Sequence, residues 1–278
     1  MTFWHREGRR IGAAVVLALL IGALYAGTLQ WLIAEWWAND YYSHGPLVAA
    51  ISAVLIWRRR ASSSRGPASW SALGVAVGGL IIHLLGMFTR APYISALSFP
   101  ILLAGLIGFL AGAATLRRLA FPLAFLWLSV PLPFVELASF PLQVITAGAS
   151  TRLAQWIGIP AEVQGAQVTL ATCSLQVGAP CSGLRSIVAL LTLVILFVYV
   201  IRGPWLSRGL LLVLAVPIAI VANIARVTAL LVIANQWGRE AGLRYFHDFS
   251  SPVLFIIAFL LLVGLSWVLQ CREIRSDL

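Results

Sequence analysis

The chain reads as an all-α integral membrane protein with about eight transmembrane helices, each of roughly 20 residues, on three grounds. Of its 278 residues, 61% are hydrophobic and only 10% charged, and the mean hydropathy of +0.96 lies far outside the balance of a water-soluble domain. Apolar runs of spanning length recur from one end of the chain to the other. The charge falls between those runs: all 19 basic residues are Arg, clustered in short connections. In a soluble protein a net charge of +10 would raise the question of nucleic acid. Here it reads as a topology signal, and no nucleic-acid partner is expected.

The runs predict helices near residues 11–34, 43–57, 70–89, 93–114, 119–133, 183–201, 208–235 and 251–270, the second and fifth being short. The first follows Arg6, Arg9 and Arg10, as a signal peptide would, but it is too long for an h-region. It ends in Glu35-Trp36-Trp37 without a small-residue cleavage site, so it reads as a membrane anchor. With both termini cytoplasmic, thirteen arginines fall inside and five outside (Arg90, Arg152, Arg185, Arg239 and Arg244), while Arg226 lies within a span. That asymmetry satisfies the positive-inside rule and predicts a multi-pass protein of the cell's inner (cytoplasmic) membrane.

The stretch of about residues 134–180 then falls on the extracytoplasmic side. Leu142, Ile145, Ala149, Leu153 and Trp156 recur at spacings of three and four, as in an amphipathic helix lying on the membrane. Val163, Val168, Leu170, Leu175 and Val177, broken near Ala171-Thr172-Cys173, predict a short β-hairpin. No repeat or linker divides the chain, so residues 1–278 are expected to form a single polytopic domain.

Pro180-Cys181-Ser182-Gly183 stands where this irregular segment becomes a helix. First-turn amide groups and the helix dipole there favour a thiolate over a thiol, which makes Cys181 a candidate nucleophile. A lone membrane cysteine also serves commonly as a small space-filling residue. Arg226 lies inside an apolar helix, where an arginine costs on the order of 3 kcal/mol. Asn223, three residues earlier, shares its face. Counting about 20 residues outward from Arg208 puts Arg226 near the outer boundary, whereas counting about 14 Å inward from Asn235 puts it closer to the midplane. His247 precedes the last span, with Asp248 beside it, and an imidazole can accept and return a proton near neutral pH. His44 at a helix entrance and Arg185, one turn beyond Cys181, are candidate supporting residues. The four histidines show no ligand spacing with carboxylates, so neither metal nor cofactor is expected.

The order Cys181-Ser182-Gly183-Leu184-Arg185, then Asn223-Ile224-Ala225-Arg226, then Phe246-His247-Asp248 resembles the exosortase and archaeosortase family of membrane transpeptidases. The likeness extends to Tyr42-Ser43-His44-Gly45, to Gly158-Ile159-Pro160 and to Glu162-Val163-Gln164-Gly165. It implies that Cys181, Arg226 and His247 are catalytic and that the enzyme is a sortase-like cysteine transpeptidase or peptidase. Its substrates would be secreted precursors carrying a PEP-CTERM type tail: a short motif, a hydrophobic helix and a basic end. The acyl acceptor stays open among water, an amine, a lipid and an extracellular polysaccharide.

Two rivals come from other classes. A membrane dithiol oxidoreductase would use Cys173 and Cys181, which an oxidising exterior could also pair, but the closely spaced Cys-x-x-Cys is missing. A channel or polysaccharide export subunit would need polar positions along several helices, whereas here they gather at one membrane face. Cys271 is expected to be cytoplasmic and inert.

Overall fold

The computed structural model describes residue 12 and residues 15–60, 69–178, 183–245 and 251–275. Each apolar run becomes a helix. In chain order these are α1 (Val15–Leu24) and α2 (Ala26–Ala38), α3 (Gly45–Arg60), α4 (Trp70–Phe88), α5 (Pro92–Ala111) and α6 (Ala113–Phe125). After the insertion come α9 (Leu184–Val200), α10 (Trp205–Trp237), α11 (Arg239–Tyr245) and α12 (Ser251–Val268). Within the insertion lie α7 (Pro133–Leu137) and α8 (Ser139–Trp156). Among the described residues α4, α5 and α10 alone are each long and apolar enough to cross a bilayer, and the count rises to five if two bent helix pairs each act as one span. Helix α9 and the apolar part of α12 are shorter. The expected eight therefore becomes three to five on length and composition.

The chain divides into two compact units, residues 1–39 with 45–131 and residues 40–44 with 132–278. In the first, the continuous helix expected over 11–34 is bent by 66° between α1 and α2. Tyr25 at the break is fully buried, its hydroxyl 2.7 Å from Ser98 Oγ and its ring 4.0 Å from that of His83. Hydropathy registers the run as unbroken because the bend is set by this long-range anchoring. Helices α4 and α5 pack almost backbone to backbone. A methyl group added at Gly79 would lie 2.7 Å from the Leu102 nitrogen, and one at Gly86 would lie 2.5 Å from that of Ser95. Small residues permit the approach that drives helix association in lipid, where apolar burial offers little. Helix α4 closes with Ala91 N–H donating to Gly86 O (2.9 Å) and Arg90 N–H to Met87 O (3.2 Å), a Schellman ending that puts Arg90 at φ +54°.

In the second unit the expected hairpin has a third strand. β1 (Ala161–Gln164), β2 (Gln167–Leu170) and β3 (Ser174–Gln176) form an antiparallel meander, Val168 pairing with both Val163 and Leu175. Gly165, at φ +60°, supplies the tight turn between the first two. Its inner face (Ala161, Val168, Leu170, Leu175, Val177) packs on Ala147 and Ala154 of α8 and on Val227, Leu230, Leu231 and Ala234 of α10. The opposite flank of α10 meets α9 and α12 through Leu211, Ala215, Leu190, Val194, Ala258 and Leu262. Helix α8 forms where the sequence places it, but the face it buries is the small and hydroxylated one: Thr146, Ala147, Ser150, Thr151 and Ala154. The apolar residues Phe140, Ile145 and Trp156 are exposed, the orientation expected beside lipid rather than water. Below α9, β4 (Ile201–Arg202) pairs with β5 (Glu273–Ile274), and the buried Cys271 packs against Gly203.

Candidate active site

Gly183 begins the site. It caps α9 at φ +77°, ψ −5°, a left-handed conformation that costs glycine little, and its carbonyl accepts from Ile187 N–H at 2.8 Å. A methyl group at its Cα would lie 2.6 Å from Asn223 Cγ. Turn geometry and close packing thus both require glycine here, and together they press the start of α9 against the polar turn of α10.

That turn carries Asn223 and Arg226, each only 4% exposed. They lie three residues apart on one face, as their spacing predicted. Asn223 Nδ2 donates to Thr146 Oγ1 of α8 at 3.2 Å, and Ser150 Oγ donates to the Ile224 carbonyl at 3.1 Å. Two hydroxylated residues of α8 therefore clamp the turn. Asn223 and Arg226 also line a cavity of about 20 Å³ with Ser186, Leu190, Ala219, Ala222, Phe255 and Ala258. This is room for about one water molecule. A guanidinium beside so small and largely apolar a space is poorly solvated, so its field on a neighbouring anion is weakly screened.

Residues 40–44 pack along α9 in the same unit. Arg185 pairs with Asp40 at 3.4 Å, both side chains being more than half exposed, so the pair contributes little stability. His44 Nε2 is 3.4 Å from Thr192 Oγ1, and its ring stacks 6.0 Å from that of Tyr42. The Tyr42 hydroxyl accepts from Leu132 N–H at 3.0 Å. Burial raises its pKa above the ordinary 10.0, the Leu132 hydrogen bond opposes this, and the charge of Glu136 adds to it. Tyr42 is thus held as a neutral phenol.

Of the residues singled out in the sequence, Arg226 and Asn223 come together beneath Gly183. His44 and Arg185 attach to α9 through separate partners. Cys181, His247 and Asp248 lie outside the described residues. Sequence reasoning missed Thr146, Ser150, Ser186, Thr192 and Asp40. The first two carry a signal in the sequence, a small or hydroxylated residue at every fourth position, 146, 150 and 154. Among the described residues no group of three or more His, Cys, Asp or Glu is placed to hold a metal ion.

The family model for the transmembrane exosortases (Exosortase_EpsH) matches residues 36–264. That range takes in the segment before α9, the polar turn of α10 and the start of α12. Neither the curated proteins nor the solved structures offer a match. With most of its length matched, from Trp36 to Gly264 near the end of the last helix, this chain belongs to the transmembrane exosortase family.

Proposed function

We propose that the protein is a cysteine transpeptidase that cleaves C-terminal sorting signals of the PEP-CTERM type at the extracytoplasmic face of the inner membrane. The observation that carries this reading is the packing of Gly183 on Asn223. Gly183 stands two residues after Cys181 and Asn223 three before Arg226. Consecutive Cα atoms are about 3.8 Å apart, so this contact supports a thiol within reach of the buried guanidinium. Helix α11 folds back on α10 through Gly242, whose added methyl would lie 3.0 Å from Ala234 Cβ. Tyr245, the last described residue before His247, thus closes a helix that packs on the C-terminal part of α10.

The meander supports an interfacial depth for the site. Unpaired strand edges do not occur in hydrocarbon, and the strands pack on Val227–Ala234, immediately beyond Arg226. This favours the outer-boundary placement of Arg226 over the midplane one.

In the reaction, the Cys181 thiolate attacks the carbonyl carbon of the scissile bond. Arg226 stabilises the oxyanion, and collapse of the tetrahedral intermediate breaks the C–N bond while His247 protonates the departing amine. The thioacyl-enzyme is then resolved by an acceptor: water, an amine, a lipid or a glycan hydroxyl. Its attack on the thioester, with His247 taking the acceptor's proton, breaks the C–S bond and restores both the thiolate and the imidazolium. Asn223 holds the Arg226 turn through Thr146, and His44, Arg185 and Asp248 are assigned supporting roles toward the substrate. A precursor whose own apolar helix packs against the bundle presents its motif at that level, its basic end remaining on the cytoplasmic side. Expression of Cys181→Ala with a tagged precursor is the test: the precursor should stay uncut and membrane-anchored, and processing at the wild-type rate would refute the assignment.

A further inference from the structure

The β-meander has two outer edges, and only one of them is closed. Leu170 N–H donates to Cys173 O and Val177 N–H to Ala166 O, both at 2.8 Å, and Val168 stands opposite Leu175, so residues 173, 175 and 177 turn their backbone groups towards β2. Alternation along an antiparallel ladder then turns those of Ser174 and Gln176 outwards. By the same alternation Ala161 and Val163 face outwards from β1. At that edge Gln155 Nε2 of α8 donates to the Ala161 carbonyl at 2.7 Å, Pro160 precedes the strand and Glu162 puts a charge on it. Proline and charge at an edge discourage the addition of a further strand. Residues 173–178 carry neither, and both Ser174 and Gln176 are exposed.

Among the described residues no strand pairs with the outer side of β3. Gly178 N–H donates to Gln176 O at 2.9 Å, a tight turn at the strand's end. The edge therefore offers the N–H groups of Ser174 and Gln176 and the carbonyl of Ser174: two donors and one acceptor. A strand laid against it has to supply two carbonyls but only one N–H, so a proline is tolerated opposite Gln176. The reaction itself calls for such a strand. A peptide carbonyl within a helix already accepts a hydrogen bond, so the segment to be cleaved has to leave the helical conformation, and its backbone groups then need partners at the membrane surface. β3 ends five residues before Cys181, a reach of at most about 18 Å for an extended chain.

Resting on the transpeptidase reading, we propose that the extended recognition motif of the precursor adds to the open edge of β3 as a fourth strand, held by main-chain hydrogen bonds. The test titrates full-length protein in detergent with a fluorescent precursor tail, the motif and the helix that follows it, in the Cys181→Ala background so that bound tail is not consumed. Cleavage is followed in parallel with Cys181 intact. Gln176→Pro removes one outward N–H and no bond to β2, Gln176→Ala keeps that N–H, and Val163→Pro removes an outward N–H from the opposite edge. Gln176→Pro should weaken tail binding about tenfold and raise KM alike, while the other two stay within about twofold of wild type. Tails N-methylated at one motif residue at a time give a second measurement that leaves the protein unchanged: one residue should be intolerant and its two neighbours tolerant. Equal binding by wild type and Gln176→Pro, an equal loss in Gln176→Ala or Val163→Pro, or N-methylation tolerated throughout or refused at adjacent residues would overturn the proposal. Self-association that Gln176→Pro abolishes without changing tail binding would overturn it too and assign the edge to a second copy of the chain. A tail bound with the expected pattern yet never cut by the protein with Cys181 intact would uphold the pairing and refute the transpeptidase reading.

Discussion

At the residue scale the site depends on Gly183, which meets two demands that only glycine meets together: a left-handed φ and the approach of Asn223. Gly183→Ala pays for the first alone about 1–2 kcal/mol, and it also pushes Asn223 away from Thr146. It should lower the melting temperature by several degrees and slow precursor cleavage even though Cys181 is intact. Arg226→Lys keeps the charge but loses the planar fork. If Arg226 serves the oxyanion, cleavage should fall by about 10²–10³ with precursor binding little changed, measured as kcat against KM on reconstituted enzyme. Tyr42 gives a pH test. Its folded pKa is raised above 10.0, so the proton is bound more tightly in the folded state; the stability it contributes is full below that value and is lost as pH climbs through the folded pKa. Melting temperature should therefore drop more steeply between about pH 9 and pH 11 for wild type than for Tyr42→Phe. The Asn223 and Arg226 pair was legible because three residues along a helix define a face. Thr146, its partner 77 residues away in sequence, was not, since no local period reports a neighbour that distant.

At the element scale, apolarity located the helices and could not orient them. In α8 the sequence shows an apolar stripe, and in a soluble protein that stripe would face the core. Here Thr146, Ser150 and Ala154 face α10 while Ile145 and Trp156 are exposed. When the surroundings are themselves apolar, close approach and hydrogen bonds decide which face is buried. The same physics governs the α4–α5 pair. Gly79→Leu would drive a side chain into the Leu102 backbone, which cannot yield as a flexible side chain would. The expected cost is about 1–3 kcal/mol or more, read as a lower melting temperature in detergent and a reduced yield of folded protein. The α1–α2 bend belongs at this scale too. Hydropathy averages over a run, and the break rests on a tyrosine bound to helices that arrive some 60 to 70 residues later.

At the scale of the whole molecule, the surface carries the strongest statement. Large apolar side chains stand exposed along α4, α8 and α10, with Trp70 and Phe88 at the two ends of α4 and Trp205 at the start of α10. Aromatic residues at both ends of a span are the mark of two membrane interfaces. At about 1.5 Å per residue, the 33 residues of α10 exceed a hydrocarbon core of about 30 Å. Its excess length is accommodated where the β-meander covers it. The protein should accordingly remain in the pellet after alkaline carbonate extraction and require detergent for release, as followed by immunoblot of the two fractions.

Composition and spacing by themselves determined that this is a helical membrane protein, which runs form its helices, that a β segment interrupts them, and that the motifs match one family, because each of these is written in the local order of side chains. Only the tertiary structure decided which face of α8 is buried, that the first helix bends, and that Gly183 meets the Asn223 turn. Those outcomes rest on contacts between residues far apart in the chain, and in an apolar solvent their selection depends on fit and hydrogen bonding, neither of which a pattern of hydrophobicity records.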